Sequence, residues 1–300
     1  MTDWTSPTWH AEALAWADVT PVGPVTQPHL RPWSTALRIP TADGVVWFKA
    51  GGSGTAFEAR LLRALNAYGA PQLLTALKVD VERGWLLLPD GGPTLRSALD
   101  RDPDLHRWEP VLQGYAALQR AVEHRALPGA EDQRPQCMPA LLEALLRELP
   151  VGPRAELEAL QPRFAGWCDE LAGSGVVPTL QHDDLHDNNV FASGVVYDWG
   201  DAVLAFPFAT LLVTLRSAAR RWELAPGAPE LVRLRDAYLE PWTDTHSRTE
   251  LELLCLLATR VGKVGRSRAW QRALTGVPDP GEHAEAAPGW LEELLEEDVF

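Results

Sequence analysis

The chain has 300 residues, 27 Lys and Arg against 41 Asp and Glu, and a formal net charge of −14, with 46% hydrophobic and 23% charged residues. This is the composition of a globular protein long enough for two lobes with cores of their own. Its acidity argues against nucleic acid as a partner, because a phosphate backbone demands a basic face, and allows a cationic ligand without requiring one.

No apolar run approaches the ~18 residues of a membrane span, so no membrane association is expected. The opening MTDWTSPTWHAEALAWAD lacks a basic stretch followed by an apolar one, so no signal peptide is expected either. Cys137, Cys168 and Cys255 are too few and too scattered for a disulfide framework or a thiolate metal site, which suits a cytoplasmic protein. The 13 tryptophans are assigned to packing, and no feature of the composition specifies an oligomer.

In chain order, the first ninety residues read as strand-rich with one helix. Apolar, β-branched runs at Ala36–Pro40 and Val45–Ala50 flank Thr41-Ala42-Asp43-Gly44, whose Asp-Gly predicts a hairpin. Gly51-Gly52-Ser53-Gly54 reads as a flexible connection or a phosphate loop. Phe57, Leu61, Leu62 and Leu65 then recur at helical spacing. Gly84–Pro89 reads as a buried strand ended by Pro89-Asp90-Gly91-Gly92-Pro93. Beyond it, helical periodicity covers roughly 105–125, 138–149, 153–173, 207–223, 228–239 and 248–260, broken by a short β insert near 189–198. A small β-rich lobe over 1–90, hinged to a larger helical lobe over 91–300, makes an α+β bilobal design, and ligands often sit at such junctions.

The most informative stretch is His182-Asp183-Asp184-Leu185-His186-Asp187-Asn188-Asn189, followed by Val190–Tyr197 and Asp198-Trp199-Gly200. An Asp two residues after a His, an Asn five further on and an Asp-aromatic-Gly after a short insert match the kinase catalytic-loop pattern. With Ser193-Gly194 as a two-residue turn, counting outward pairs Asn189 with Asp198 at the open end of a hairpin. Opposed residues have Cβ atoms about 4.5–5.5 Å apart, so an amide oxygen and a carboxylate would lie side by side, a pair suited to Mg²⁺ on nucleotide phosphates. Asp184, just before the hairpin, is placed to take a proton from a hydroxyl.

At these residues the sequence resembles the aminoglycoside phosphotransferase and choline kinase group of the protein-kinase-like superfamily, whose loop commonly reads His-Gly-Asp-Leu-His-Pro-x-Asn. The resemblance implies the bilobal kinase-like fold and an ATP- and Mg²⁺-dependent transfer to a hydroxyl of a small molecule of aminoglycoside, amino alcohol or sugar type. It makes Asp184 the catalytic base, Asn189 and Asp198 the metal ligands, and His182 and His186 loop-ordering residues. Asp183 stands where Gly is usual and Asp187 where Pro is usual.

Upstream, a kinase needs a strand lysine on the α/β-phosphates and a helix glutamate holding that lysine. Lys49 ends the strand Val45–Lys49, and Glu58 opens the following helix. No glycine precedes Lys49 in Leu30-Arg31-Pro32-Trp33-Ser34-Thr35, so backbone amides near Ser34 and Thr35 are expected to contact phosphate. Asp90, in Pro89–Gly92, marks the hinge against adenine. Asp198 is followed after eight residues by Pro207 and an apolar helical run, leaving no room for a peptide-binding activation segment, so a small-molecule acceptor is expected. Two other readings stay open: a nucleotide-binding pseudokinase without turnover, and a His-Asp metal phosphohydrolase using His182-Asp183 and His186-Asp187.

Near the C-terminus, Arg260, Lys263, Arg266, Arg268 and Arg272 form a basic segment, and Leu291–Phe300 combines acids with helical apolar spacing. The acidic tail is expected to dock on the helical lobe near that segment. The alternative is that some of these arginines reach an anionic acceptor or a nucleotide phosphate.

Overall fold

The computed structural model describes residues 2–296. Helix α1 (Pro7–Ala17) precedes strands β1 (Thr26–Arg31), β2 (Ser34–Thr41) and β3 (Gly44–Gly51). Helix α2 (Phe57–Ala67), β4 (Lys78–Asp80) and β5 (Trp85–Pro89) follow, and the five strands form one antiparallel sheet in the order β1-β2-β3-β5-β4. The β2–β3 turn falls where Asp-Gly predicts it, with Thr41 opposite Gly44.

Strand alternation sorts the two faces of this sheet. Leu37, Ile39, Phe48, Ala50, Trp85 and Leu87 pack with Trp9, Ala13 and Ala17 of α1. Edge-to-face rings knit that layer, Trp9 to Phe48 at 5.7 Å and Trp16 to Trp85 at 5.7 Å between centroids. Leu86 faces the other way, in one core with Leu61, Leu62 and Leu65 of α2. Because Phe48 and Ala50 point toward α1, Lys49 between them must point to the opposite face. Helix α1 lies outside the sequence expectation: its strongest local signal is the cap, where Ser6 accepts from the Trp9 amide at 3.2 Å and Pro7 sits in the first turn.

After the hinge, α3 (Leu95–Arg101), α4 (Trp108–Ala121), α5 (Met138–Glu148), α6 (Arg154–Gly173), α7 (Leu211–Trp222), α8 (Pro229–Leu239), α9 (Arg248–Ala273) and α10 (Ala286–Glu292) build the helical lobe. Three short strands, β6 (Glu131–Gln133), β7 (Thr179–Gln181) and β8 (Val203–Ala205), form a second sheet in the order β6-β8-β7. Its Gln181–Val203 pairing clamps the two ends of the segment 182–202 together. At the hinge, a Cβ on Gly91 would fall 2.2 Å from ring carbons of Phe191, so only glycine lets the hinge meet the segment after the catalytic loop.

The β insert differs from expectation by one residue. Val190 pairs with Val196, Phe191 N donates to Val195 O at 2.8 Å, and Tyr197 N donates to Asn189 O at 3.1 Å. The turn therefore has three residues, Ala192-Ser193-Gly194, with Gly194 left-handed at φ +87°. Asn189 opposes Tyr197 instead of Asp198, and Asp198 enters the site through left-handed backbone of its own, φ +65°.

The tail docks as expected. Ser267 Oγ of α9 donates to Ala287 O at 2.7 Å, and Leu291 and Leu294 are buried. Among the described acids of the tail, Glu293 pairs with Arg216 of α7, and its backbone oxygen accepts from Lys263 Nζ at 2.6 Å. Residues 297–300, including Val299 and Phe300, lie outside the described residues. Among the described residues no helix is long and apolar enough to cross a membrane, and all three cysteines are free thiols.

Candidate active site

Strand β3, helix α2 and the segment after the insert bring three charged groups together. Lys49 Nζ lies 2.5 Å from Glu58 Oε2 and 2.5 Å from Asp198 Oδ1, and the second Glu58 oxygen accepts from the Trp199 amide at 2.9 Å. Burial alone would lower the lysine's pKa, but Asp198 and Glu58 outweigh it and hold the ammonium above its ordinary pKa. Burial likewise raises the Glu58 carboxyl, with Lys49 opposing. Burial pushes Asp198 upward as well, and there Lys49 wins and holds it below the usual carboxylate range.

The loop residues His182, Asp184, His186 and Asn189 are bonded to one another and to the insert. The buried His182 ring donates through Nε2 to Tyr197 O at 2.8 Å and accepts the Asp184 amide on Nδ1 at 3.3 Å, which fixes its tautomer. Burial holds its pKa below the ordinary value, so it stays neutral. His186 accepts the Asn188 amide on Nδ1 at 3.1 Å and presents Nε2 to Asp184 Oδ2 at 3.4 Å. Asn189 Nδ2 donates to Asp184 O at 2.9 Å and Oδ2 at 3.3 Å, which turns its amide oxygen away from these bonds. Both histidines thus spend their ring nitrogens on ordering the loop.

Both departures from the family loop acquire a reason. Asp183 adopts φ +66°, the left-handed conformation that explains a glycine at this position, and its buried carboxylate turns to Arg266 of α9. Burial pushes the Asp183 carboxyl up to about 7, against the pull of Arg266. Asp187 is buried too, and accepts from Arg96 Nε at 2.9 Å and Nη2 at 2.7 Å and from Arg221 Nη1 at 3.3 Å. Arg266 itself is 4% exposed, donates to Asp183 O at 2.8 Å, and reaches Asp201 Oδ2 and Asp184 Oδ1 at 3.1 Å each. Burial opposes ionisation of Asp184, but Arg266 and then His186 hold its pKa below the carboxylate range. Sequence reading put Arg266 in a basic segment beyond the last expected helix, as a docking partner of the tail or a contact to an anionic acceptor or phosphate, and did not pair it with Asp184; the extra acid at 183 was the available signal.

Ser34, Lys49, Glu58, Asp184 and Asp198 line one cavity of about 60 Å³ with Trp33, Thr55, Gly200 and Asp201. The Thr35 and Asp90 side chains lie outside it; the expectation for Thr35 concerned its backbone amide, and for Asp90 only its position at the hinge. Thr35 faces the other side of β2, within the ladder between Leu30 and Ala50, and its buried hydroxyl donates to His29 O at 2.9 Å. Asp90 lies at the hinge, where its side chain accepts the Gly92 amide at 3.1 Å and closes a local turn. The glycine-free turn before Ser34 is pinned from two sides: Trp33 O accepts from Gly52 N at 2.7 Å and Thr55 Oγ1 at 2.7 Å, and the Trp33 ring meets Trp270 edge-on at 5.4 Å. Gly51–Gly54 is therefore a structural connection packed under that turn.

No group of three or more His, Cys, Asp or Glu suited to a metal occurs among the described residues. An amide oxygen and a carboxylate on either side of the insert are instead the sparse oxygen set that Mg²⁺ uses when nucleotide phosphates and water complete its shell. The residues fit that ion.

The profile of the phosphotransferase enzyme family matches residues 52–251, and the chain belongs to that family. No curated protein matches it. Among solved structures it is similar to a choline/ethanolamine kinase family protein from Mesorhizobium loti, with 15% identity, TM-score 0.65, and 96% of this chain and 95% of that one covered. A choline kinase from Streptococcus pneumoniae aligns with 16% identity and TM-score 0.64, covering 96% of this chain and 98% of that one. An aminoglycoside phosphotransferase from Streptomyces rimosus, solved with ADP and streptomycin, aligns with 18% identity and TM-score 0.55, covering 87% and 99%. At such identities the likeness establishes the fold, the bilobal protein-kinase-like one.

Proposed function

We propose that this family member transfers the γ-phosphoryl group of ATP to a hydroxyl of a small molecule, with Asp184 as the base. The observation that carries the reading is the Lys49 ammonium, 2.5 Å from both Glu58 and Asp198, in the cavity that Asp184 also lines. Lys49, released from Asp198 by phosphate, holds the α/β-phosphates, and Glu58 keeps it in place. Asn189 and Asp198 would hold Mg²⁺, which would supply positive charge to offset that of the nucleotide phosphates. Asp184, kept ionised by Arg266, orients the acceptor hydroxyl and takes its proton, so the protein contributes mainly positioning and electrostatics. A metal phosphohydrolase would leave the Lys49–Glu58 pair without a task, and would need histidine nitrogens already bonded within the loop.

A reading without turnover is favoured by one observation: the turn over the phosphate site lacks glycine and is held by Trp33 against Trp270. One experiment separates the two. Titration calorimetry with Mg-ADP should show binding in the wild type and its loss in Lys49→Ala, and labelled ATP should transfer phosphate to an acceptor panel. Binding without transfer to any acceptor favours the pseudokinase; no binding refutes both readings.

A further inference from the structure

Beside Asp184, on the helical-lobe side, opens a second and larger cleft of about 480 Å³, a volume suited to a small molecule. Asp184 and His186 form one end. Five arginines line it, Arg96, Arg216, Arg220, Arg221 and Arg266, and among the described residues the only lining carboxylates are Asp184 and Asp187. In a chain of net charge −14, so many guanidinium groups around one cleft do not follow from composition.

The arginines are built in rather than scattered. Asp187 holds Arg96 at 2.7 Å and Arg221 at 3.3 Å, and Asp100 holds the other end of Arg221 at 2.5 Å. Arg216 is tied to Glu293 of the tail and lies over the Trp290 ring at 4.6 Å. Arg266 is tied to Asp183, Asp184 and Asp201. Arg220, exposed on α7, makes no hydrogen bond or ion pair among the described residues. Asp183 and Asp187, the two residues that depart from the family loop, are thus the acids that position three of the five arginines.

A cationic acceptor is poorly served here. Asp187 is already shared by two guanidinium groups. The Trp290 face that could attract an ammonium is occupied by Arg216 at 4.6 Å and approached by Arg266 at 5.9 Å. Forked arginines match the geometry of carboxylate and phosphate oxygens and stay charged at every relevant pH. Resting on the kinase reading above, we propose that the acceptor is an anion: a hydroxyl compound that also bears a carboxylate or phosphate group, held by Arg220 with Arg96, Arg216 and Arg221 while its hydroxyl meets Asp184.

The test uses the full chain with labelled Mg-ATP and seven acceptors: glycerate, gluconate and glycerol 3-phosphate, then choline, ethanolamine and kanamycin, with glycerol as neutral control. Binding is read separately, from the melting temperature with each compound at saturating Mg-ADP. Transfer to, or stabilisation by, an anion is expected, and comparing gluconate with glycerol 3-phosphate tells carboxylate from phosphate. Arg220→Glu, a change at an exposed and unpaired side chain, should raise the KM of the anion at least tenfold with Mg-ADP affinity unchanged. Stabilisation by no anion, or transfer to a cation with Arg220→Glu at wild-type KM, overturns the proposal and leaves the kinase reading intact. Failure to bind Mg-ADP at all removes both.

Discussion

Arg266 Nη2 lies 3.1 Å from Asp184 Oδ1, so a guanidinium from α9 is paired with the carboxylate assigned as base, 82 positions away in the chain. Burial works against ionisation of Asp184, and Arg266 leads the groups that overcome it. Arg266→Leu should therefore move the acidic limb of the kcat–pH profile upward by at least about one unit, the equivalent of ~1.4 kcal/mol. Arg266→Lys keeps the charge and should leave the limb close to its wild-type position. An unchanged profile in Arg266→Leu would mean the pair does not set the state of the base.

Asp183 has the opposite sign. Its carboxyl is pushed up to about 7 from an ordinary 3.8, burial being the main cause. Between those values the folded protein keeps a proton that the unfolded chain has lost, so this contribution to stability is full below about pH 4 and is lost as pH rises through 7. Asp183→Asn keeps the shape and tolerates left-handed backbone. It should raise the melting temperature at pH 8.5 by at least about 3 °C, by less at pH 5, and leave it near the wild-type value below pH 4. Equal effects at pH 8.5 and below pH 4 would show that Asp183 does not keep its proton above the ordinary carboxylate range.

Across the insert, Asp198→Ala should abolish the Mg²⁺-dependent part of nucleotide affinity, while Asn189→Ala should weaken it about tenfold. The difference follows from charge: a carboxylate interacts with a divalent cation more strongly than an amide oxygen does. Calorimetry with ADP, with and without Mg²⁺, reads both. Undiminished Mg²⁺ dependence in the two variants would remove the metal assignment.

The docked tail separates packing from binding within two adjacent residues. Leu291 is fully buried, and Leu291→Ala should cost about 2–5 kcal/mol and lower the melting temperature with acceptor KM little changed. Trp290→Ala removes the ring beneath Arg216 at 4.6 Å and should chiefly raise acceptor KM. Parallel losses of stability and KM in both variants would contradict this division.

The arrangement of the candidate site was legible because most of it is contiguous. His182 to Asp198 carries the loop, the insert and the residues proposed to hold the metal in one stretch, and Lys49 and Glu58 stand at the end of a strand and the start of the next helix. The register of the insert was misread by one residue because Ser193-Gly194 resembles a two-residue turn, while the chain uses Gly194 as the left-handed third residue of a longer one. The second sheet has strands of three residues, too short for alternation to show. Helix α1 presents Trp9, Ala13 and Ala17 to the core but has tryptophans and alanines on its other faces too, so no apolar stripe stands out. The partners of Arg266, Arg96 and Arg221 are long-range ion pairs, which neither periodicity nor composition can place.

The most direct test of the central claim compares wild type with Asp184→Asn in transfer of labelled phosphate from Mg-ATP to an accepted hydroxyl compound, with Mg-ADP affinity measured on both. Removing a positioned base costs roughly 10²–10⁴-fold in rate. The account predicts a loss of that size with nucleotide affinity retained, and wild-type transfer by Asp184→Asn would contradict it.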